Sequence, residues 1–197
     1  MNEINKTYSG GVRTRKDLKF FLEEDAKVND MACGIIKYLL YLFYGMEKAH
    51  AYRYIKTMRY LEYHSNNLGL FHKLMSLFYK VKLSRLGMKY HLHIIPNSCG
   101  YGLKIYHVFG GGQILNVQKV GNYCTFNTGC VLGTKGPDET PTIGNHVYIA
   151  PGAKVFGNVV IGNNVVIAPN AIVTKDIPDN AIVGGVPVRI LKFKTND

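Results

Sequence analysis

The chain has 197 residues, 47% hydrophobic and 19% charged, enough for one domain or two small ones to bury a core. Its formal net charge is +11, Gly is abundant at 21 residues and Trp is absent, a mix that favours repeated turns over a large aromatic core. No stretch reaches the roughly 18 apolar residues of a membrane-spanning helix, and the start, MNEINKTYSGGVRTRKD, has no apolar signal core.

The charge is uneven. Residues 1–90 hold sixteen Lys and Arg against eight Asp and Glu, whereas residues 91–197 hold eight against five. A basic excess attracts anionic partners or simply keeps a soluble protein dispersed. No nucleic-acid recognition motif accompanies it, so nucleic acid is not expected as a partner. Cys33, Cys99, Cys124 and Cys130 form no CxxC pair and no metal-ligand spacing with histidine. A cytoplasmic protein with reduced thiols is expected.

From about Asp17 to Met88 the pattern is helical. Leu18, Phe21, Leu22 and Asp25 open a first amphipathic segment, and Ile35, Leu39, Leu42 and Phe43 mark a second, bounded by Gly34 and Gly45. Tyr52, Ile55, Met58, Tyr60 and Leu61 fit a third. Leu68, Phe71, Leu74, Met75, Phe78 and Val81 make a fourth at i, i+3, i+4 spacing, with Ser65-Asn66-Asn67 as the turn before it. The aromatic and basic stretches Ile36–Tyr44 and Leu70–Arg85 read first as core faces packed on another domain, with peripheral membrane contact as the alternative. His50, His64 and His72 have no ligand partner at helical spacing and read as packing or surface residues.

Near residue 90 the helical period gives way to a period of six. Ile143, Ile149, Val155, Ile161, Ile167 and Val173 are all aliphatic; four residues after each stand Val147, Ala153, Val159, Val165, Ala171 and Ile177. An earlier run, Ile114, Val120, Phe126 and Leu132, shows the same step, and places Cys124 and Cys130 at inward positions as packing thiols. The two runs are out of phase by one residue across GTKGPDETPT, residues 133–142, whose Gly and Pro content suits an extruded loop. Short strands joined by tight turns form a triangular coil that buries its apolar side only by stacking on the next.

With this repeat and the ending DIPDNAIVGGVPVRILK, residues 176–192, the segment 91–192 resembles the hexapeptide-repeat acyltransferases, and the whole chain resembles their serine acetyltransferase-like branch. The resemblance implies an α+β protein: a helical N-terminal region over residues 1–90, then a left-handed parallel β-helix over 91–197 with an extruded loop and a C-terminal tail. The left hand comes from the family, since crossover connections are usually right-handed. The resemblance further implies an enzyme, an acetyl-CoA-dependent O-acetyltransferase without a metal, working as a homotrimer. Its catalytic histidine lies at the start of the coil before a Gly-rich stretch, here KIYHVFGGGQIL, which makes His107 the general base; neutral imidazole suits that role at neutral pH. By position, Gly133, Thr134, Ala150, Pro151, Ala168 and Pro169 line the acetyl-CoA groove between subunits. Gly185 approaches the nucleotide, and Arg189 and Lys192 meet its phosphates.

Two positions depart from serine acetyltransferase. The family's aspartate directly before the catalytic histidine is Tyr106 here, and its His-Pro pair in the extruded loop is Thr140-Pro141. Both face the acceptor, so a hydroxyl of a sugar or polysaccharide precursor is expected, with serine O-acetylation as the alternative. A non-catalytic hexapeptide scaffold is the rival of another class, and a zinc enzyme on the same coil is weaker still, since it needs three converging histidines. Asp25, Glu24, Asp138 and Glu139 are the carboxylates that folding could bring to His107.

Overall fold

The computed structural model describes residues 11–136 and 139–195; residues 1–10, most of the polar start, and Asp138 of the loop lie outside them. Four helices come first: α1 (Arg15–Val28), α2 (Ile35–Phe43), α3 (Glu47–Ser65) and α4 (Leu70–Tyr90). Thr14 starts α1 by a reciprocal cap, its hydroxyl accepting from the Asp17 amide (3.1 Å) while the Asp17 carboxylate accepts from the Thr14 amide (2.8 Å). Gly34 precedes α2 and Gly45 follows it, as their backbone freedom predicts. His91, in the left-handed conformation, closes α4.

Fourteen short strands follow among the described residues. They are β1 (Leu92–Ile94), β2 (Lys104–Ile105), β3 (Gln113–Leu115), β4 (Lys119–Val120), β5 (Thr125–Phe126), β6 (Val131–Gly133) and β7 (Thr142–Ile143). Then come β8 (Tyr148–Ile149), β9 (Lys154–Phe156), β10 (Val160–Ile161), β11 (Val166–Ile167), β12 (Ile172–Val173), β13 (Ala181–Gly184) and β14 (Arg189–Phe193). They wind into a left-handed parallel β-helix whose three faces are the sheets β1-β3-β6-β9-β12, β4-β7-β10 and β2-β5-β8-β11-β13, the last extended by antiparallel β14. The chain visits the faces in a fixed cycle, so each rung stacks in register on the one before: Phe126 lies over Ile149, Ile149 over Ile167, and Ile167 over Val183.

The six-residue register is what the coil buries. Ile143, Ile149, Val155, Ile161, Ile167 and Val173 point inward, and so do the residues four later. Cys124 and Cys130 are fully buried among them. The start of the earlier run differs. Ile114 is 44% exposed and Leu115 points inward instead, stacking on Leu132. The five-residue step from Leu115 to Val120 shifts the phase on the first complete rung, which the hexapeptide count carried across unchanged. The second slip is where the loop was expected: β6 ends at Gly133, β7 begins at Thr142, and the residues between leave the coil.

One edge of the prism is held by side-chain amides. Asn122 Oδ1 accepts from the Tyr101 amide, Asn145 Oδ1 from the Asn122 amide, Asn163 Oδ1 from the Asn145 amide, and Asp179 Oδ1 from the Asn163 amide. These bonds satisfy corner amides that short strands leave over.

Helices and coil share one buried cluster that runs from Tyr54, Ile55 and Met58 through Tyr90 into the coil interior. At its rim Arg59, fully buried, donates to Asp25 of α1 (2.8 Å), to Glu62 (3.1 Å) and to the carbonyls of Cys99 (2.9 Å) and Gly100 (2.5 Å). Asp25 also accepts from the Leu103 amide at 2.8 Å, and Glu62 from the Asn97 amide at 2.8 Å.

α2 packs on Ala26, Met31, Ala49 and Tyr52 through half-buried Tyr38, Tyr41 and Leu42, but most of the expected stripes on α2 and α4 face outward. No residue of α2 is buried, and Phe43 is 83% exposed. On α4 the residues turned inward are Leu83, Leu86 and Tyr90, while Leu70, Phe71, Leu74, Phe78 and Val81 face out. The helix is apolar on more than one side and α3 covers only one of them.

Two outcomes follow from this packing. Burial pushes the carboxyls of Asp25 and Glu62 upward and Arg59 opposes the rise. Arg59→Leu removes that opposition and leaves two buried carboxyls unpaired, at a cost of about 3–5 kcal/mol in unfolding free energy. A carboxyl raised above its unfolded value costs nothing below that value, and its penalty grows as pH rises through the folded one. Denaturant titrations are therefore expected to show a smaller loss at about pH 5 than at about pH 8. Of the four cysteines Cys33 alone is partly exposed, and burial lifts the Cys99 and Cys130 thiols to about 11 and Cys124 to about 12. Thiol titration of the native protein is expected to modify Cys33 rapidly and the other three only after denaturation.

Candidate active site

His107 occupies the corner that follows β2, at the head of the coil. Its backbone is left-handed (φ 59°) and its side chain is 58% exposed. The corner is longer than those beneath it, running from Tyr106 through the Gly110-Gly111-Gly112 run before β3 begins. Two glycines there are steric requirements. A Cβ on Gly112 would come within 2.7 Å of the His91 carbonyl oxygen, and Gly111, at φ 142°, would set its Cβ 3.0 Å from the Thr128 hydroxyl. That hydroxyl donates to the Gly111 carbonyl (2.8 Å).

Two side chains fix the imidazole's surroundings. Gln113, fully buried, donates from Nε2 to the Tyr106 carbonyl (2.7 Å), pinning the peptide just before His107. Glu47, in the first turn of α3, places Oε2 3.5 Å from His107 Nδ1 and takes the Phe109 amide on Oε1 at 3.5 Å. The Phe109 ring then packs on His50 and Tyr90, whose Nδ1 and hydroxyl lie 2.7 Å apart. The helical region thus supplies the carboxylate that faces the imidazole. Of the four carboxylates expected from the sequence, the three that are described do not face it. Asp25 is shut into the Arg59 cluster, Glu24 is held by the Tyr123 hydroxyl (2.7 Å) and Lys27, Glu139 stays in the loop, where its backbone amide donates to the Gly136 carbonyl, and Asp138 lies outside the described residues. Glu47 carries a sequence signal, an acid in the first turn after the Gly45 boundary. Gln113 stands within KIYHVFGGGQIL itself; neither was singled out.

Below His107 the same edge continues through four rungs. The Tyr106 amide donates to Phe126, Asn127 to Ile149, Ala150 to Ile167 and Ala168 to Val183, so the corners Asn127-Thr128, Ala150-Pro151, Ala168-Pro169 and Gly184-Gly185 stack under it. At about 4.8 Å per rung this column is about 19 Å long. Ala150 is buried, Ala168 half-buried, and Pro169 and Gly185 are exposed, which leaves a shallow track of small residues. At its foot Arg189 and Lys192 lie exposed on β14.

Gly133 and Thr134 are elsewhere. They end β6, where the loop leaves the coil, at the next edge of the prism; Gly133 is buried against Phe156 and Thr134 is exposed, its hydroxyl accepting from the Gly136 amide (3.0 Å). Thr140 and Pro141 close the loop on that same edge, Pro141 accepting from the Gln118 amide (3.0 Å). A single chain therefore brings together His107, Glu47 and the corner column, and keeps the loop residues on a separate edge. Among the described residues no three His, Cys, Asp or Glu side chains converge as a metal site, and no helix is long and apolar enough to cross a membrane.

Residues 140–175 match the family described as bacterial transferase hexapeptide (six repeats). The serine acetyltransferase of Synechococcus elongatus is 37% identical over 114 residues, covering 55% of this chain and 45% of that protein. The one from Buchnera aphidicola is 29% identical over 183 residues, 89% of this chain and 60% of that one. A crystal structure of the serine acetyltransferase from Brucella abortus superposes with a TM-score of 0.69 at 25% identity, over 90% of this chain and 70% of that one. Coil, repeat and relatives together fit a hexapeptide-repeat acyltransferase. The chain resembles the serine acetyltransferases in its order of elements, helices first and β-helix second. It spans about half the length of relatives such as the Synechococcus elongatus protein, which is the longer of the two.

Proposed function

We propose that the chain is an acetyl-CoA-dependent O-acetyltransferase with His107 as general base. The observation that carries this is the placement of an exposed imidazole, faced by Glu47, at the head of a column of small corners that ends at Arg189 and Lys192. Neutral His107 accepts the proton of an acceptor hydroxyl at Nε2 while that oxygen attacks the thioester carbonyl carbon. Glu47, on the Nδ1 side, favours the tautomer that leaves Nε2 free and stabilises the imidazolium that forms. The tetrahedral intermediate collapses with cleavage of the C–S bond, and the imidazolium returns the proton to the departing thiolate, releasing CoA thiol and an O-acetyl ester. The pantetheine arm lies along Ala150-Pro151 and Ala168-Pro169, Gly185 lets the nucleotide approach the backbone, and Arg189 and Lys192 meet its phosphates. The working form is a homotrimer in which Gly133, Thr134 and Thr140, on the neighbouring edge, would reach this groove from an adjacent subunit.

Serine is the acceptor that the relatives favour. Every relative compared above is a serine acetyltransferase, and one solved structure of similar fold is described as a complex with serine and another as a complex with Coenzyme A. A sugar hydroxyl is the second reading, and a specific observation supports it. Tyr106, beside His107, offers no charge to an ammonium group, and Thr140 replaces the loop histidine. Four free cysteines suit a reducing cytoplasmic setting.

The test is release of CoA thiol from acetyl-CoA with L-serine and with a panel of sugars and nucleotide sugars. His107→Ala is expected to lower kcat by about 10²–10⁴ with whichever acceptor turns over. Glu47→Gln separates its roles. A fall in kcat of about tenfold at constant KM marks support of the imidazole, whereas a rise in KM for serine alone marks contact with the ammonium group. Full activity of His107→Ala would remove the proposed mechanism.

A further inference from the structure

Outside the corner column, the helices present extensive exposed apolar surface. The outward face of α4 presents Leu70, Phe71, Leu74, Leu77, Phe78 and Val81, and α2 presents Ile35, Ile36, Leu39, Leu40 and Phe43, all exposed. Exposed apolar surface of this extent marks a site of interaction. On α4 it lies beside a groove of about 590 Å³, floored by Leu74, Leu77, Phe78 and Val81 and edged by Arg53, Lys82, Arg85 and Lys89. No Asp or Glu lines the groove, and α4 itself has none along its 21 residues. The cations crowd one another: burial, then repulsion from Arg53 and Lys56, pushes the Lys82 ammonium downward.

Charge decides between occupants. A second copy meeting this face symmetrically would set the cation cluster against itself, like on like. An anionic bilayer surface answers both halves of the feature, with acyl chains for the apolar floor and phosphates for the cationic edge. We propose that the outward face of α4, with the groove it shares with Arg53 of α3, docks the protein on an anionic phospholipid membrane surface. The helix lies on the surface and does not span it, because its cations are spread along its length. Docking is independent of the acetyl-transfer chemistry and of the identity of the acceptor, since none of these residues belongs to the corner column or to the surroundings of His107.

The experiment is co-flotation of the full chain with vesicles of phosphatidylcholine alone and of phosphatidylcholine mixed with phosphatidylglycerol. Binding to the mixed vesicles is expected to be at least about tenfold stronger, and to weaken as salt shortens the Debye length. Lys82→Glu/Arg85→Glu/Lys89→Glu is expected to reduce binding to the phosphatidylcholine level, and Leu74→Ser/Phe78→Ser to abolish it. Circular dichroism checks that the variants remain folded, and the milder Lys82→Gln/Arg85→Gln/Lys89→Gln serves if charge reversal unfolds the helix. No flotation, or equal flotation with both vesicles, would overturn the proposal. So would a change of oligomeric state on sedimentation in the apolar variant with vesicle binding intact, which would make the face a subunit contact.

Discussion

The structure depends on one buried cation. Arg59 ties together three segments distant in sequence: Asp25 of α1, Glu62 on its own helix, and the carbonyls of Cys99 and Gly100 where the first rung begins. A guanidinium has five donors in a rigid fork, so it can satisfy two carboxylates and two peptide oxygens at once; a lysine could not. Burying such a charge is tolerable only when it is fully bonded. The helical region is therefore locked to the coil in one orientation, whereas a purely apolar contact would let it slide. That orientation places Glu47, twelve residues before Arg59 on α3, against the corner of His107.

Most of the coil is legible from the repeat, because a solenoid's fold is its period. An aliphatic residue at each sixth position and a small or aliphatic one four later can be buried only by stacked short strands, and both sets are buried from Val120 onward. The break at Ile114 and Leu115 shows where the period ceases to inform. The rung that β3 begins follows the long corner of His107, whose length the period does not fix. The helices are legible as helices and not as a packing arrangement. Leu83, Leu86 and Tyr90 face inward on α4 while a better-spaced stripe faces out, since periodicity reports that a face is apolar without saying what covers it.

The site divides the same way. The position of His107 at the head of the coil is legible from the motif. Its neighbours are not, because Glu47 reaches it across sixty residues of sequence through the Arg59 anchor, and a pattern within one segment carries no information about that distance. Gln113 is hidden for another reason: a buried glutamine in a Gly-rich stretch looks like any polar turn residue until its amide is seen on the Tyr106 carbonyl. Gly133 and Thr134 sit at an edge of their own, which is a property of the prism and not of the repeat.

The stacked corners also set a quantised length. The span from His107 to Arg189 and Lys192 is counted in whole rungs; directly beyond the loop a rung is 18 residues, as from Ile143 to Ile161, and the last one, from Ile161 to Ile177, is 16. Gaining or losing one such unit would move the anchor by about 4.8 Å and leave every other contact in register. Any insertion that is not a whole turn has to leave the coil, as the loop before Thr142 does. The coil is graduated in whole turns, so this architecture can lengthen or shorten the column only turn by turn, while its loops vary freely at the edges.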